Sequence, residues 1–364
     1  MGISNLVYQS FRSLSIVQFS TDEINSFEFI SLSNALNNKF VEVKEVSESG
    51  SVNNLNVINH SEFFVFMSDG EILSGAKQNR VLNTSVLVSP KSKVKIPVSC
   101  VEQGRWRYSQ RDFSDSDYSA PSYMRSSKAK SVKENLKIKK SFSADQSKVW
   151  DNVSNYETVF HMKSPTSNLS DIYENSENDL NEFVKNFIPE KDSNGLAIFV
   201  HNKLLNLEIF NRTEIYAEYF IKLLKSAAFE AICMKDIENT LTEAEAFYKT
   251  NDFMDSISQL KFEAHKGVAA GIEKRFDTID MTGFELDLED KMIHFVSLNL
   301  KKDESKILTG RDGRKILNFG KYKGRAIDDI CRLNPEYIKW LCFDSKLDRE
   351  VKMEIYEIML RNNV

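Results

Sequence analysis

Cysteine is scarce and scattered, with four residues, Cys100, Cys233, Cys331 and Cys342, among 364 positions. None forms a C-x-x-C pair, and no histidine stands at zinc-finger spacing from them. A structural zinc site and a disulfide framework are therefore not expected, and reduced thiols in a cytoplasm are the default. The five histidines, His60, His161, His201, His265 and His294, have no partner at metal-ligand spacing and read as turn or packing residues. No apolar run approaches the roughly 18 residues needed to cross a bilayer as a helix. The first residues carry a single arginine and no long apolar core, so a signal peptide is not expected. The G-x-S-x-G, H-E-x-x-H and G-x-G-x-x-G patterns are also missing, which leaves serine-hydrolase, zincin and Rossmann readings without motif support. The net charge of −5 excludes a chain that is basic overall. Any contact with nucleic acid or phosphate must then come from a local patch.

What is present is a long series of short β-like runs between residues 14 and 101. "SIVQFS", "FVEVKEVS", "NLNVINHS", "EFFVFMSDGEIL", "RVLNTSVLVSP" and "KVKIPVSCVE" alternate apolar and polar residues, with turn residues between them. Composition changes at residue 105, where Ser, Tyr, Arg and Asp dominate a loop. From Pro121 to Trp150 there are eight basic residues against two acids, and this segment reads as a weakly amphipathic, solvated helix. A better helix follows, with Ser143 as its expected N-cap and Gln146 three positions on. Another starts at Ser167 or Asn168. "GLAIFVHNKLLNLEIF" reads as a hairpin turning at His201-Asn202-Lys203, and "GFELDLEDK" echoes it; both are expected to be generic hairpins. The expected fold class is α+β: a β-rich antiparallel sheet or sandwich domain over 1–298, elaborated with helices. A charged linker is expected over 299–315. After it comes a small α+β module over 316–364, built as a strand, a glycine turn and two helices around Trp340, Leu341, Ile355 and Leu360.

Chemistry-bearing residues gather in two neighbouring stretches. In "DGEILSGAKQNR", Glu71, Lys77, Gln78 and Arg80 surround a glycine that permits close backbone approach, a composition suited to holding a phosphate or carboxylate. In "KVKIPVSCVEQGRW", strand alternation sends Cys100 toward the core with Ile96 and Val98, where a free thiol is usually inert. Arg105 stands five positions after Cys100, close to the spacing of a Cys-x5-Arg phosphatase loop, but Glu102 in that loop would repel phosphate. Glu102 and Arg105 are then either a ligand-facing pair or a buried ion pair. If the two stretches lie on neighbouring strands, Glu71, Lys77, Arg80, Glu102, Gln103 and Arg105 converge, and Trp106 offers a face for a base to stack on. General acid or base work would fall to Glu71 or Glu102.

The block at 69–106, with "EVSESGSVNNLNVIN" before it and "DQSKVWDNV" and "SPTSNLSDIY" after it, resembles the ADP-ribosylglycohydrolase- and rhodanese-phosphatase-associated protein domain. The likeness runs over about residues 10–298. It implies, by association alone, a link to ADP-ribose or NAD chemistry and to bacterial or phage conflict and defence systems. The tail "LNFGKYKGRAIDDICRLNPEYIKWL" is similar to the C-terminal module of exodeoxyribonuclease X-like proteins. Its turn places Arg314, Lys315, Phe319, Lys321, Tyr322, Lys323 and Arg325 together, a mixture of cations and aromatic faces suited to single-stranded nucleic acid. The expected partners are thus a nucleotide-like or ADP-ribose-like ligand, nucleic acid at the tail, and a protein partner or second copy, with no membrane. The rival expectation is a non-catalytic interaction or scaffold subunit. Neither a cofactor nor a reaction is named by the sequence.

Overall fold

A computed structural model describes residues 2–22, 24–234, 241–300, 306–310, 312–343, 345, 347 and 349–362. Eight strands form one antiparallel sheet. Its order is Ile3–Phe11, Leu14–Thr21, Gly195–Val200, Lys203–Phe210, Lys291–Asn299, Met281–Leu288, Ile272–Asp277 and Glu263–Lys266. A second sheet of six runs Phe113–Ser119, Glu71–Gly75, Arg80–Leu82, Ser92–Cys100, Asn54–Asn59 and Val41–Glu45, again antiparallel throughout. A small third sheet joins Ile30–Ser31, Val65–Met67 and Val86–Val88. With the helices between and around them, this is the α+β fold that the alternation implied.

The two echoing segments are hairpins set side by side. His201 and Asn202 in one, and Glu289 and Asp290 in the other, have φ between 50° and 65°. Both tight turns thus adopt the left-handed pair that matches strand twist in a two-residue hairpin. The outgoing strand of each, Lys203–Phe210 and Lys291–Asn299, pairs with the other.

Helix Thr213–Cys233 packs against Gly195–Val200 and Lys203–Phe210 of the large sheet and Phe113–Ser119 of the second. It buries Tyr216, Tyr219, Phe220, Leu223 and Ala227, and each such aromatic contributes about 2–3 kcal/mol by leaving water. On the large sheet's other apolar layer, helix Glu243–Ile257 places Ala246, Met254 and Ile257 with Val17, Phe19 and Phe295. It begins with a complete capping box of Thr242 and Glu245.

Several sequence expectations change. The cap of helix Gln146–Val159 is Asp145, whose carboxylate accepts from the backbone of Ser147 and Lys148. Gln146 does not close a capping box: its side chain bonds both backbone groups of Cys100 at 2.8 Å, tying helix to strand. Asn168, one of the two expected caps, starts helix Leu169–Asn175. The basic helix Ser122–Lys139 is not a solvated face, because Arg125, Lys128 and Lys133 are buried in it. Their acidic partners come from distant segments, which local composition cannot show. Within the span expected as linker, residues 301–305 and 311 lie outside the described residues, and Ile307–Thr309 pairs with Lys315–Leu317 as a hairpin. Among the described residues three α-helices follow, Ile327–Leu333, Pro335–Phe343 and Arg349–Arg361, not two. Leu341 and Ile355 are buried as expected, whereas Trp340 and Leu360 are about half exposed.

Candidate functional site

Strands Glu71–Gly75 and Arg80–Leu82 form a hairpin whose turn needs unusual backbone. Gly75 has φ +118°, and a Cβ there would meet the Asp112 carbonyl at 2.8 Å. Cys100 pairs with Arg80 across the ladder. The two sequence stretches therefore do adjoin, but they divide into three settings.

The first is an aromatic and cationic face. Arg80 is fully buried. Its Nη1 donates to Gln78 Oε1 at 3.1 Å and its Nη2 to Glu45 Oε1 at 3.4 Å, while its Nε–H has no acceptor among the described residues. The guanidinium carbon lies 5.6 Å from the Trp106 ring centre. Lys77 Nζ lies 5.5 Å from the Trp106 ring and 5.1 Å from that of Tyr108. Both rings remain more than 40% exposed. Two cations thus sit against one half-open indole, an arrangement with favourable cation–π energy. Gln103 points its side chain to solvent, and its carbonyl accepts from Gln78 Nε2 at 3.3 Å.

The second is a clamp. Arg105 Nε and Nη2 donate to the two oxygens of Glu102 at 2.8 and 2.7 Å, a bidentate pair. Glu102 also accepts from the Asn79 backbone and from Thr166 Oγ1. The remaining Arg105 donors reach the carbonyls of Ala76 and Gly75. This pair uses its hydrogen-bonding capacity within the chain, fastening residues 105–109 to the hairpin turn. It presents Trp106 rather than facing a ligand.

Glu71 goes to a third place. It is fully buried and accepts from Tyr219 Oη at 2.8 Å, Lys222 Nζ at 3.1 Å and the Ser68 backbone at 3.1 Å. Burial pushes its carboxyl up to about 7, against the pull of the Lys222 charge. Lys222 also donates to Asp115 at 2.6 Å. The convergence of Glu71 with Glu102 is therefore not observed. Cys100 is buried, as its alternation implied, and burial pushes its thiol up to about 11. A thiol so protonated is a poor nucleophile.

Sequence reasoning missed a buried ionic network joining the two sheets through the basic helix. Arg125 donates to Asp69 at 3.0 Å and bidentately to Glu208 at 2.7 and 3.0 Å. Lys128 reaches Asp69 at 3.1 Å and the Leu82 carbonyl. His294 Nδ1 lies 2.8 Å from Ser85 Oγ, and its Nε2 lies 3.4 Å from Glu208. Arg275 donates to Glu273 at 2.5 Å. All these charged groups are at most 1% exposed, so the cluster holds the fold together and has no access to solvent. The segments involved are too far apart in sequence for spacing to reveal them.

At the tail, Arg314 is held by Asp312 and Asp329, and Lys315 by Glu354. Phe319 packs on the module's core. Lys321 lies 5.3 Å from the Tyr322 ring, and Tyr322 meets Tyr337 edge-on at 5.0 Å. Lys321, Lys323 and Arg325 are exposed and form no salt bridge with a described residue. Of the seven expected contact residues, Arg314 is exposed but ion-paired, and these three are the exposed cations without an ion pair to a described residue. Among the described residues no group of three His, Cys, Asp or Glu side chains is placed to hold a metal ion, and no helix is long and apolar enough to cross a membrane.

No curated protein and no solved structure matches the chain. Residues 317–344 match the exodeoxyribonuclease X-like C-terminal family. Residues 3–298, which contain both large sheets, match the ARG and Rhodanese-Phosphatase-superfamily-associated Protein domain. With that match running over most of its length, the chain belongs to the ARG and Rhodanese-Phosphatase-superfamily-associated Protein family.

Proposed function

We propose that the large domain binds a nucleotide-like anion, of the ADP-ribose or NAD-related class, at Lys77, Gln78, Arg80, Gln103 and Trp106, and that the C-terminal module contacts nucleic acid. The observation that carries the reading is the half-exposed Trp106 ring with Lys77 and Arg80 against it. A base stacks on the open indole face, and the phosphates meet Lys77, with Arg80 buried beneath the ring and paired with Glu45. Glu102 serves as the anchor of the platform through Arg105, and Glu71 lies apart from it, so the reading is of binding without a catalytic role for either at this face. The family's association with ARG and rhodanese-phosphatase proteins fits a nucleotide-linked role in a conflict or defence setting.

Calorimetry of the full chain against ADP-ribose, NAD, AMP and inorganic phosphate tests this. Binding of a nucleotide with at least tenfold loss in both Trp106→Ala and Lys77→Ala is expected, since one stacked base contributes about 1–3 kcal/mol. No binding, or unchanged affinity in both variants, overturns it. For the tail, removing 301–364 should abolish salt-sensitive binding to single-stranded DNA or RNA. Replacing Lys321, Lys323 and Arg325 together should lower the slope of log affinity against log salt by about 2. Unchanged binding in the truncation places any contact elsewhere. The rival reading, a non-catalytic subunit of an assembly, draws on the self-satisfied Glu102–Arg105 clamp.

A further inference from the structure

A cleft of about 350 Å³ opens between helix Thr213–Cys233, strand Phe113–Ser119 and the short helix Leu32–Asn37. It shares no residue with the Trp106 face. Its volume lies at the lower end of the range for small-molecule sites. Lys222 is answered within the chain by Glu71 and Asp115, whereas Glu218 accepts from the neutral Ser31 hydroxyl and forms no ion pair with a described residue. Two more charges are unpaired. Asp117 is exposed on the strand and Lys225 is half-buried on the helix, and neither forms an ion pair with the other or with any described residue. Lys225 Nζ instead rests 4.7 Å from the Tyr118 ring centre. Ser33 and Asn34 add neutral donors and acceptors on the third wall.

We propose that this cleft is a binding site for a small zwitterion of the α-amino-acid class, its ammonium held by Asp117 and Glu218 and its carboxylate by Lys225. The reason is charge matching. A simple anion would answer Lys225 but meet the carboxylates of Asp117 and Glu218, and a simple cation would leave Lys225 unanswered. A ligand with both charges satisfies both walls and leaves the cleft's net charge unchanged. The polar groups of the third wall then hydrogen-bond the ligand carboxylate.

The test is calorimetry and thermal shift of the full chain, at low ionic strength, with each of the proteinogenic amino acids. Any ligand that binds is then compared with its N-acetyl and carboxamide forms. At least one amino acid should bind, and blocking either charge should weaken it at least tenfold. Asp117→Asn should lose discrimination against N-acetylation, and Lys225→Gln discrimination against the carboxamide. Asp117 is exposed and Lys225 half-buried, so neither substitution opens the core, and an unchanged melting temperature confirms that the variants fold. Trp106→Ala should leave amino-acid binding intact, which separates this site from the nucleotide face. The proposal is overturned if no amino acid binds, if the blocked forms bind equally, or if Trp106→Ala removes the binding.

Discussion

Replacing Arg125 with Met removes the centre of the buried network while keeping a similar length of apolar stem. In the native fold burial pushes the Glu208 carboxyl up, but the Arg125 charge, with hydrogen bonds from His294 and Arg125, overrides this and holds it at about 2 rather than its ordinary 4.5. At about 1.4 kcal/mol per pKa step, that depression corresponds to on the order of 3 kcal/mol of stability. It is present above pH 4.5 and lost as pH falls through about 2. The variant strands Glu208 in an environment with essentially no solvent, while Asp69 keeps Lys128; the loss of one partner from such a buried pair typically costs about 3–5 kcal/mol. The two routes agree, so a destabilisation of about 3–5 kcal/mol is expected at pH 7. Without the guanidinium, burial dominates and Glu208 titrates above 4.5. The variant should therefore regain stability relative to the native chain on acidification from pH 7 to 5, as the stranded Glu208 carboxylate takes up a proton. Urea unfolding followed by far-UV circular dichroism at both pH values measures this. A loss below about 1 kcal/mol at pH 7, or one that is the same at pH 5, would refute the argument that these charges are compensated chiefly by Arg125.

Three further outcomes are expected. Glu71, raised to about 7 in the fold, favours the folded state below about pH 4.5, and that contribution is lost as pH rises through about 7. Glu71→Gln should flatten stability against pH in this window, and an unchanged slope in urea titrations counts against the burial argument. Arg105→Ala leaves Glu102 nearly buried without its bidentate partner and should cost about 3 kcal/mol. A double-mutant cycle with Glu102→Gln should give a coupling above about 1 kcal/mol, and additivity would deny the clamp. Cys100, with its thiol raised to about 11 by burial, should resist Ellman's reagent in the folded chain, and Cys100→Ser should retain ligand affinity. Modification faster than unfolding would show the thiol to be open.

The alternation of Val, Ile and Phe with polar residues made the antiparallel strands legible, because period-two burial is a local property. The His201-Asn202 and Glu289-Asp290 turns were readable for the same reason, as was the inward direction of Cys100. The basic helix was misjudged because its low apolar content says nothing about Asp69 and Glu208, which only the sheet arrangement brings to Arg125. The expected single patch divided likewise. Lys77, Arg80 and Trp106 come together through the register of two short strands, whereas Glu71 faces a helix more than a hundred residues downstream. By itself, then, the sequence determined the strand content, several turns, the family and a stretch rich in chemical groups. The tertiary structure alone decided which of those groups meet each other and which remain for a ligand, since ion pairing depends on distances that chain order does not encode.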